Sequence, residues 1–351
     1  MNEDASSHLE SSVKDVAVIY CTTTAYTGAR EIEQLADQEI IEVAQAVKSG
    51  LEHNGINVQL VDLKPMEIAS LKKYDWIFNL VETIFGFPLA DYEVAEQLEL
   101  FSIPFTGSTA KTLKACLNKS ITKSVLVKYH ISTPAYEVVE PGYLPHKTLK
   151  YPVIVKPGRE DGCVGITGDS RVMTYGDLEK QVQRIHQVYQ QAALVEEFID
   201  GRDITVSILG NGDDAVALPI SEIIYTNQSK PNHLTFDANW VSESPEYLAS
   251  TSRCPSALEP SVEKRIKALA LHSYRVMGCR DYARVDFRLR NETPFVLEVN
   301  PNPCINPDGA GFVNAARCAG YSYPSLVTSI LKQAILNRQV KRIKQVEKVL
   351  L

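Results

Sequence analysis

Residues 281–311 read DYARVDFRLRNETPFVLEVNPNPCINPDGAG, and they hold the side chains with the strongest chemical signature in the chain. Residues 283–289 alternate: Arg284, Asp286 and Arg288 fall on one face of an extended strand, and Val285, Phe287 and Leu289 on the other. Residues 290–294 (RNETP) are turn-forming, and 295–300 (FVLEVN) form a second strand with Glu298 and Asn300 on one face. A turn centred near Glu292 sets Asp286 opposite Glu298 and Arg284 opposite Asn300. Two bare carboxylates brought that close repel each other unless a cation lies between them. The donors are hard oxygens with no His or Cys among them, which favours Mg²⁺ or Mn²⁺ over Zn²⁺. Mg²⁺ held by so few carboxylates commonly keeps substrate phosphates as further ligands. The plainer alternative is the polar outer face of a hairpin, with its acids paired to arginines at the surface.

Two upstream segments bear on that choice. Residues 152–166 (PVIVKPGREDGCVGI) deliver Lys156 at the end of an apolar strand and follow it with a loop bearing Gly158, Gly162 and Gly165. Glycines let backbone N–H groups close on a phosphate, and lysine adds a point charge. No GKS or GKT follows, so this is not a Walker A loop. Residues 194–209 (LVEEFIDGRDITVSIL) make a strand, a bend at Asp200-Gly201 and a second strand. Backbone groups of Glu197, Phe198 and Ile199 could meet a purine edge there, and Asp203 could accept from ribose hydroxyls.

The elements that must position these groups read as α/β. Apolar strands are expected at 16–21, 56–62 and 76–80, with an amphipathic helix over 29–53 between the first two, the spacing of a parallel α/β unit. Further helices are expected over 90–101 and, in one run containing Lys111, Lys114, Lys119, Lys123 and Lys128, over 109–130. The chain has 351 residues, 44% of them hydrophobic, enough for two or three structural units. A net charge of −7 with both signs interspersed argues against nucleic-acid binding. Seven scattered cysteines without a CxxC pair point to a reducing, cytoplasmic setting and no structural zinc. No apolar run is long enough to span a membrane.

The order PVIVKP…VGI, VEEFIDGRD and YARVDF…LEVNPNP, preceded by IPFTGS and NKSITKSVLVKYHISTPAY, resembles the ATP-grasp superfamily. Within it the chain is similar to the D-alanine–D-alanine ligase-like carboxylate–amine ligases, from about residue 16 to residue 326. The resemblance implies a three-domain fold: an open parallel sheet over 14–108, a lid over 109–193 and a catalytic lobe over 194–335, with a lead-in over 1–13 and a basic helical tail over 336–351. It implies that Lys123 and Lys156 contact ATP phosphates, and that Glu196, Glu197, Phe198 and Ile199 hold the adenine with Asp203 on the ribose. It further implies that Asp286, Glu298 and Asn300 bind two Mg²⁺ ions, that Arg284 steadies charge at the acyl centre, and that the loop 158–165, with Gly162 and Cys163, closes over the triphosphate. Chemistry of this kind runs through an acyl phosphate captured by an amine, and dimerisation through the N-terminal unit is a further implication.

The substrate half departs from the family pattern. Gly162-Cys163 stands where those ligases carry two serines, Asn239-Trp240 replaces a Lys-Tyr pair, and 304–310 (CINPDGA) differs from the family's acceptor segment. The expected ligands are therefore amino-acid or peptide-like molecules other than a pair of D-alanines. Candidates to face them are Glu31, Glu82, Asn239, Trp240, Asp308 and Gly309, with Asp37 and Glu39 as further candidates for the acid that grips an amine. A different class of reading is a nucleotide-binding regulator that keeps the fold without turnover, suggested by Asn239 in place of lysine. Carboxylation of the biotin type fits less well, since no bicarbonate-site extension is present.

Overall fold

The computed structural model describes residues 13–22, 31–82, 90–226 and 233–350, with the backbone alone for 31–36, 65–66 and 341–350. Most of the lead-in (1–12) and of the Thr/Gly-rich loop (23–28) lies outside the described residues. β1 (Asp15–Tyr20), β2 (Asn57–Asp62) and β3 (Trp76–Asn79) form a parallel sheet in the order β2-β1-β3. α1 (Glu31–Glu52) makes the crossover between β1 and β2, as parallel pairing requires. β1 is apolar on both faces because both are covered. Val16 and Val18 pack with Val43, Val47 and Leu51 of α1 and with Val327 and Ile330 of the C-terminal helix. Ala17 and Ile19 pack with Val94 and Leu98 of α2 (Asp91–Leu100) and with Ile68 and Leu71 of a 3₁₀ turn, Pro65–Lys73.

The helix expected over 109–130 is two helices, α3 (Ala110–Leu117) and α4 (Lys119–Lys128). Asn118 stands between them at φ −86°, ψ 99°, and its side chain accepts from the N–H groups of Ser120 and Ile121. That is N-cap behaviour, which a helical spacing of apolar residues conceals. β4 (Tyr136–Val139), β5 (Val153–Pro157), β6 (Arg171–Val172) and β7 (Ala193–Glu197) make an antiparallel sheet in the order β4-β7-β5-β6, with α5 (Tyr175–Tyr189) packed on one face. Because β7 lies inside this sheet, the middle unit runs on to Glu197 and is not cut at 193.

The third sheet contains β8 (Arg202–Leu209), β9 (Val216–Ala217), β10 (Ser221–Tyr225), β11 (Ser250–Arg253), β12 (Tyr282–Arg290) and β13 (Thr293–Asn300), in the order β11-β10-β8-β12-β13 with β9 paired to β8. Short α6 (Phe236–Trp240) and α7 (Pro245–Leu248) precede β11, and α8 (Pro260–Met277) covers the apolar face of β8, β12 and β13. α9 (Gly311–Cys318) and α10 (Tyr323–Leu350) close the chain. Tyr282 of β12 and Phe312 of α9 share the first core with the N-terminal sheet, their rings 5.6 Å apart and edge-on. The N-terminal sheet and the third sheet are thus joined by one hydrophobic core. Among the described residues no helix is long and apolar enough to cross a membrane.

Candidate active site

The β12–β13 hairpin sets Asp286 opposite Glu298 and Arg284 opposite Asn300, the pairing the residue pattern requires. It reaches that register by an indirect route. The turn is tighter than one centred on Glu292, since Arg290 pairs with Thr293 and only Asn291 and Glu292 lie between them. Left alone, that turn would bring Leu297 opposite Asp286. A bulge intervenes: Phe287 pairs with Val296 and Asp286 with Glu298, so Leu297 is the extra residue. One extra residue reverses the side-chain alternation beyond it and returns Glu298 to the face of Asp286.

On that face Arg284 donates to both oxygens of Asp286, Nε to Oδ1 at 2.7 Å and Nη2 to Oδ2 at 2.8 Å. Asn300 Nδ2 donates to Asp286 Oδ2 at 2.8 Å, which orients the amide at this carboxylate. The Glu298 carboxyl is carried directly opposite Asp286 across the hairpin. Burial, with Glu298 beside it, pushes Asp286 above the usual carboxylate range, although Arg284 opposes this. Burial also acts to raise Glu298, but Lys119, Lys156 and Arg284 outweigh it and hold it below. Two carboxyls this close, one drawn toward protonation, form a site that a divalent cation would relieve. Asp286, Glu298 and the Asn300 amide oxygen are hard donors suited to Mg²⁺. Among the described residues no group of three or more His, Cys, Asp or Glu side chains could hold a metal ion by itself.

Three lysines surround this pair. Glu196 at the end of β7 is 1% exposed and holds two of them: Lys123 Nζ and Lys156 Nζ each stand 2.5 Å from one of its oxygens. Burial alone would raise Glu196, but the two ammonium groups overcome it and bring the carboxyl down to about 2. Glu196 is thus committed through its side chain. Lys123, also 1% exposed, further contacts Thr133 Oγ1 at 2.8 Å and Val296 O at 3.4 Å. The ammonium expected at the ATP phosphates is thus enclosed by Glu196, Thr133 and the Val296 carbonyl. Lys119, four residues earlier, reaches the site instead. Its Nζ lies 3.7 Å from both Glu298 Oε2 and Asp161 Oδ1 and donates to the Glu160 carbonyl. Its N–H donates to Gly158 O at 3.0 Å, so the first residue of α4 is tied to the glycine loop by backbone and side chain alike. The usable signal in the sequence was Asn118, a capping residue that restarts the helix.

The loop after Lys156 turns through Gly162 and Cys163, at φ 60° and 64°. Gly165, at φ 78°, has room for no side chain, since a Cβ would fall 2.5 Å from the Pro157 ring. Trp240 Nε1 of α6 donates to Gly162 O at 2.7 Å and its ring lies against Gly162, latching the loop from the opposite sheet. Burial pushes the Cys163 and Cys304 thiols up to about 12, which leaves them protonated and poor nucleophiles.

On the expected nucleotide side, the N–H groups of Glu197 and Phe198 are donated to Ala135 O (2.8 Å) and Pro152 O (3.0 Å). A purine edge there would meet the carbonyls of this segment and Ile199. Phe198 is buried between the guanidinium groups of Arg171 and Arg288, and Arg290 pairs with Glu197 at 2.6 Å. Asp203 accepts from Tyr225 Oη at 2.5 Å and from Arg288 Nη1 at 3.1 Å, and burial raises its carboxyl despite those partners. Gly201 at the bend meets the Leu289 carbonyl so closely that a Cβ would stand 2.1 Å from it.

Beside the hairpin a cavity opens between the end of β3 and the loop after β13. Its wall includes Glu39, Asn79, Glu82, Trp240, Asn302 and Cys304. Of the expected substrate residues, Glu82 and Trp240 line it. Asn239 is exposed and outside the wall, because neighbours on one helix turn point about 100° apart. Asp308 and Gly309 are also exposed and outside it, folded outward by a turn in which the Asp308 N–H donates to Asn306 Oδ1 at 2.8 Å. The Glu31 side chain lies outside the described residues. Glu39 sits beneath the loop, accepting from Asn306 Nδ2 at 3.0 Å. Its place in the wall, like that of Asn79 and Asn302, comes from tertiary packing. His233 is 5% exposed, its Nε2 donates to Thr167 O at 3.2 Å, and burial draws it down to about 4, a neutral core residue.

The chain is similar to known proteins of one family. A family model described as "D-ala D-ala ligase C-terminus" matches residues 135–332. An uncharacterized protein of Sinorhizobium fredii, y4sG, is 35% identical over 262 residues, 74% of each chain. A D-alanine–D-alanine ligase of Cupriavidus necator is 29% identical over 89% of this chain and 90% of its own. One of Albidiferax ferrireducens is 30% identical over 84% and 82%. The structure of the Bacillus anthracis D-alanine–D-alanine ligase complexed with ATP superposes with a TM-score of 0.74 at 22% identity, covering 93% of this chain and 99% of that one, which establishes the same fold.

Proposed function

The chain belongs to the D-alanine–D-alanine ligase family, and from that premise we propose that it is an ATP-dependent carboxylate–amine ligase acting through an acyl phosphate on a substrate pair other than two D-alanines. The observation that carries the reading is the Asp286–Glu298–Asn300 face, with Arg284, Lys119 and Lys156 around it and a glycine loop closed above. A site for a polyanion and its counter-ion needs this arrangement, and a solvent-facing hairpin does not.

In this reading Lys156 and Lys119 meet the ATP phosphates under the loop 158–165, while Glu196, itself paired with Lys123, holds Lys156 in place. The adenine lies against Phe198 and Ile199, with the ribose near Asp203. Asp286, Glu298 and Asn300 would hold Mg²⁺, which when bound would neutralise charge on the triphosphate. A substrate carboxylate oxygen attacks the γ-phosphorus and ADP leaves. The amine then attacks the acyl carbon, phosphate departs with the former carboxylate oxygen, and the surplus amine proton passes to solvent. In this reading Arg284 steadies the tetrahedral oxyanion, and the closed loop excludes water that would hydrolyse the acyl phosphate. The substrate pair differs from two D-alanines on the support of Gly162-Cys163, Asn239-Trp240 and the 304–310 segment.

The test is ADP release from the full chain with Mg²⁺ across a panel of amino acids and dipeptides. Amino-acid-dependent release is expected. Glu298→Gln should lower it on the order of 10²–10³-fold while circular dichroism stays unchanged. If that variant altered ATP affinity and no member of the panel gave turnover, the chain would be a nucleotide-binding regulator.

A further inference from the structure

The cavity between β3 and the loop after β13 holds more negative charge than one amino-acid ammonium can balance. Among the described residues Glu39 and Glu82 both line it, and no Lys, Arg or His does. The Glu82 side chain opens into the cleft, yet the surrounding protein, Glu39, Asp161 and Asp91 together raise its carboxyl to about 7. Among the described residues, Lys119 pairs with Asp161 and Arg284 with Asp286.

A second, independent feature points to a ligand. Asn79 is 0% exposed. Its Oδ1 accepts from the Val81 N–H at 3.1 Å, but its Nδ2 has no partner. Asn302 offers Oδ1 to the Ser108 N–H at 3.3 Å, and its buried Nδ2 is likewise unpartnered. Both amides belong to the cavity wall. A buried donor without an acceptor is costly, and a wall containing two of them suits a ligand that supplies acceptor oxygens. The rest of the wall is apolar, with Ile40, Val43, Leu80 and Ile305 able to cover a short aliphatic chain.

We propose that this cavity takes an amino acid carrying a second cationic nitrogen, of the lysine, ornithine or shorter diamino-acid type. Glu39 and Glu82 each meet one ammonium, and the amides of Asn79 and Asn302 meet oxygen acceptors. This deepens the ligase reading and rests on it only for the statement that the occupant is a substrate. Glu82 and Glu39 are specificity-determining residues: a single carboxylate suffices for a neutral amino acid, and the second selects for charge.

Calorimetric titration of the full chain, loaded with ADP and Mg²⁺, compares lysine, ornithine and 2,3-diaminopropionate with norleucine, norvaline and alanine in both configurations. ADP release is measured on the same set. At least one diamino acid should bind tenfold or more tightly than its uncharged counterpart, and Glu82→Gln should cut that ratio about tenfold. Glu39→Gln provides the same reading should Glu82→Gln not fold, and the wild-type ratio needs no variant. Equal or weaker binding of the diamino acids, or no binding by any compound, overturns the proposal. Tight binding of a diamino acid without ADP release from any pair would sustain the cavity assignment and sink the ligase reading. ADP release with neutral amino acids alone would do the reverse.

Discussion

Glu196 illustrates how one side chain holds the charged centre together. It is buried with two ammonium groups in contact, so removing its charge leaves two lysines facing each other without compensation. Glu196→Gln should destabilise the fold by about 3–5 kcal/mol, measured by urea denaturation at neutral pH. The pH dependence has a definite sign. The folded carboxyl sits at about 2 against an ordinary 4.5, so its stabilisation is fully present above the ordinary value and is lost as pH falls toward the folded one. Denaturation midpoints followed from pH 6 downward should converge between wild type and Glu196→Gln as the acid limit is approached. Residue types were legible at this scale: the acids and Lys156 stand out in the sequence. Which lysine faces the Asp286–Glu298 pair was not, because Lys119 and Lys123 lie one helical turn apart and only burial separates their surroundings.

At the scale of elements, the hairpin pairing followed from alternation, but its means did not. A run of six residues, FVLEVN, gives no sign that Leu297 is unpaired, since bulges depend on the partner strand's register. The helix break at Asn118 was readable in principle from capping chemistry, and was overridden by the apolar spacing on either side. The contact between α6 and the glycine loop was out of reach, because it joins residues 78 positions apart in sequence. That contact carries its own prediction. Trp240→Phe keeps an aromatic ring against Gly162 but removes the N–H donor. One lost hydrogen bond of this kind is worth about 0.5–1.5 kcal/mol. The variant should lower kcat/KM by roughly threefold to tenfold, and limited trypsinolysis at Arg159 should speed up in parallel. Unchanged activity with unchanged proteolysis would show that the latch plays no part.

For the whole molecule, the α/β class and the three-unit arrangement were legible because β1 is apolar on both faces and the antiparallel strands alternate. The cavity was not. Its wall draws on α1, β3, α6 and the loop after β13, and these meet because Val16, Tyr282, Phe312 and Val327 share one core. That shared core fixes the N-terminal sheet against β12, which is what brings Glu39 and Glu82 into one wall with Tyr282 and the loop after β13. The central claim is that the phosphate released has taken its oxygen from the substrate carboxylate. It is tested by supplying the carboxyl substrate labelled with ¹⁸O and analysing the phosphate by mass spectrometry. One ¹⁸O per phosphate formed is the predicted result. Phosphate released at the same rate without label would mean that water attacks ATP directly, and would contradict carboxylate activation.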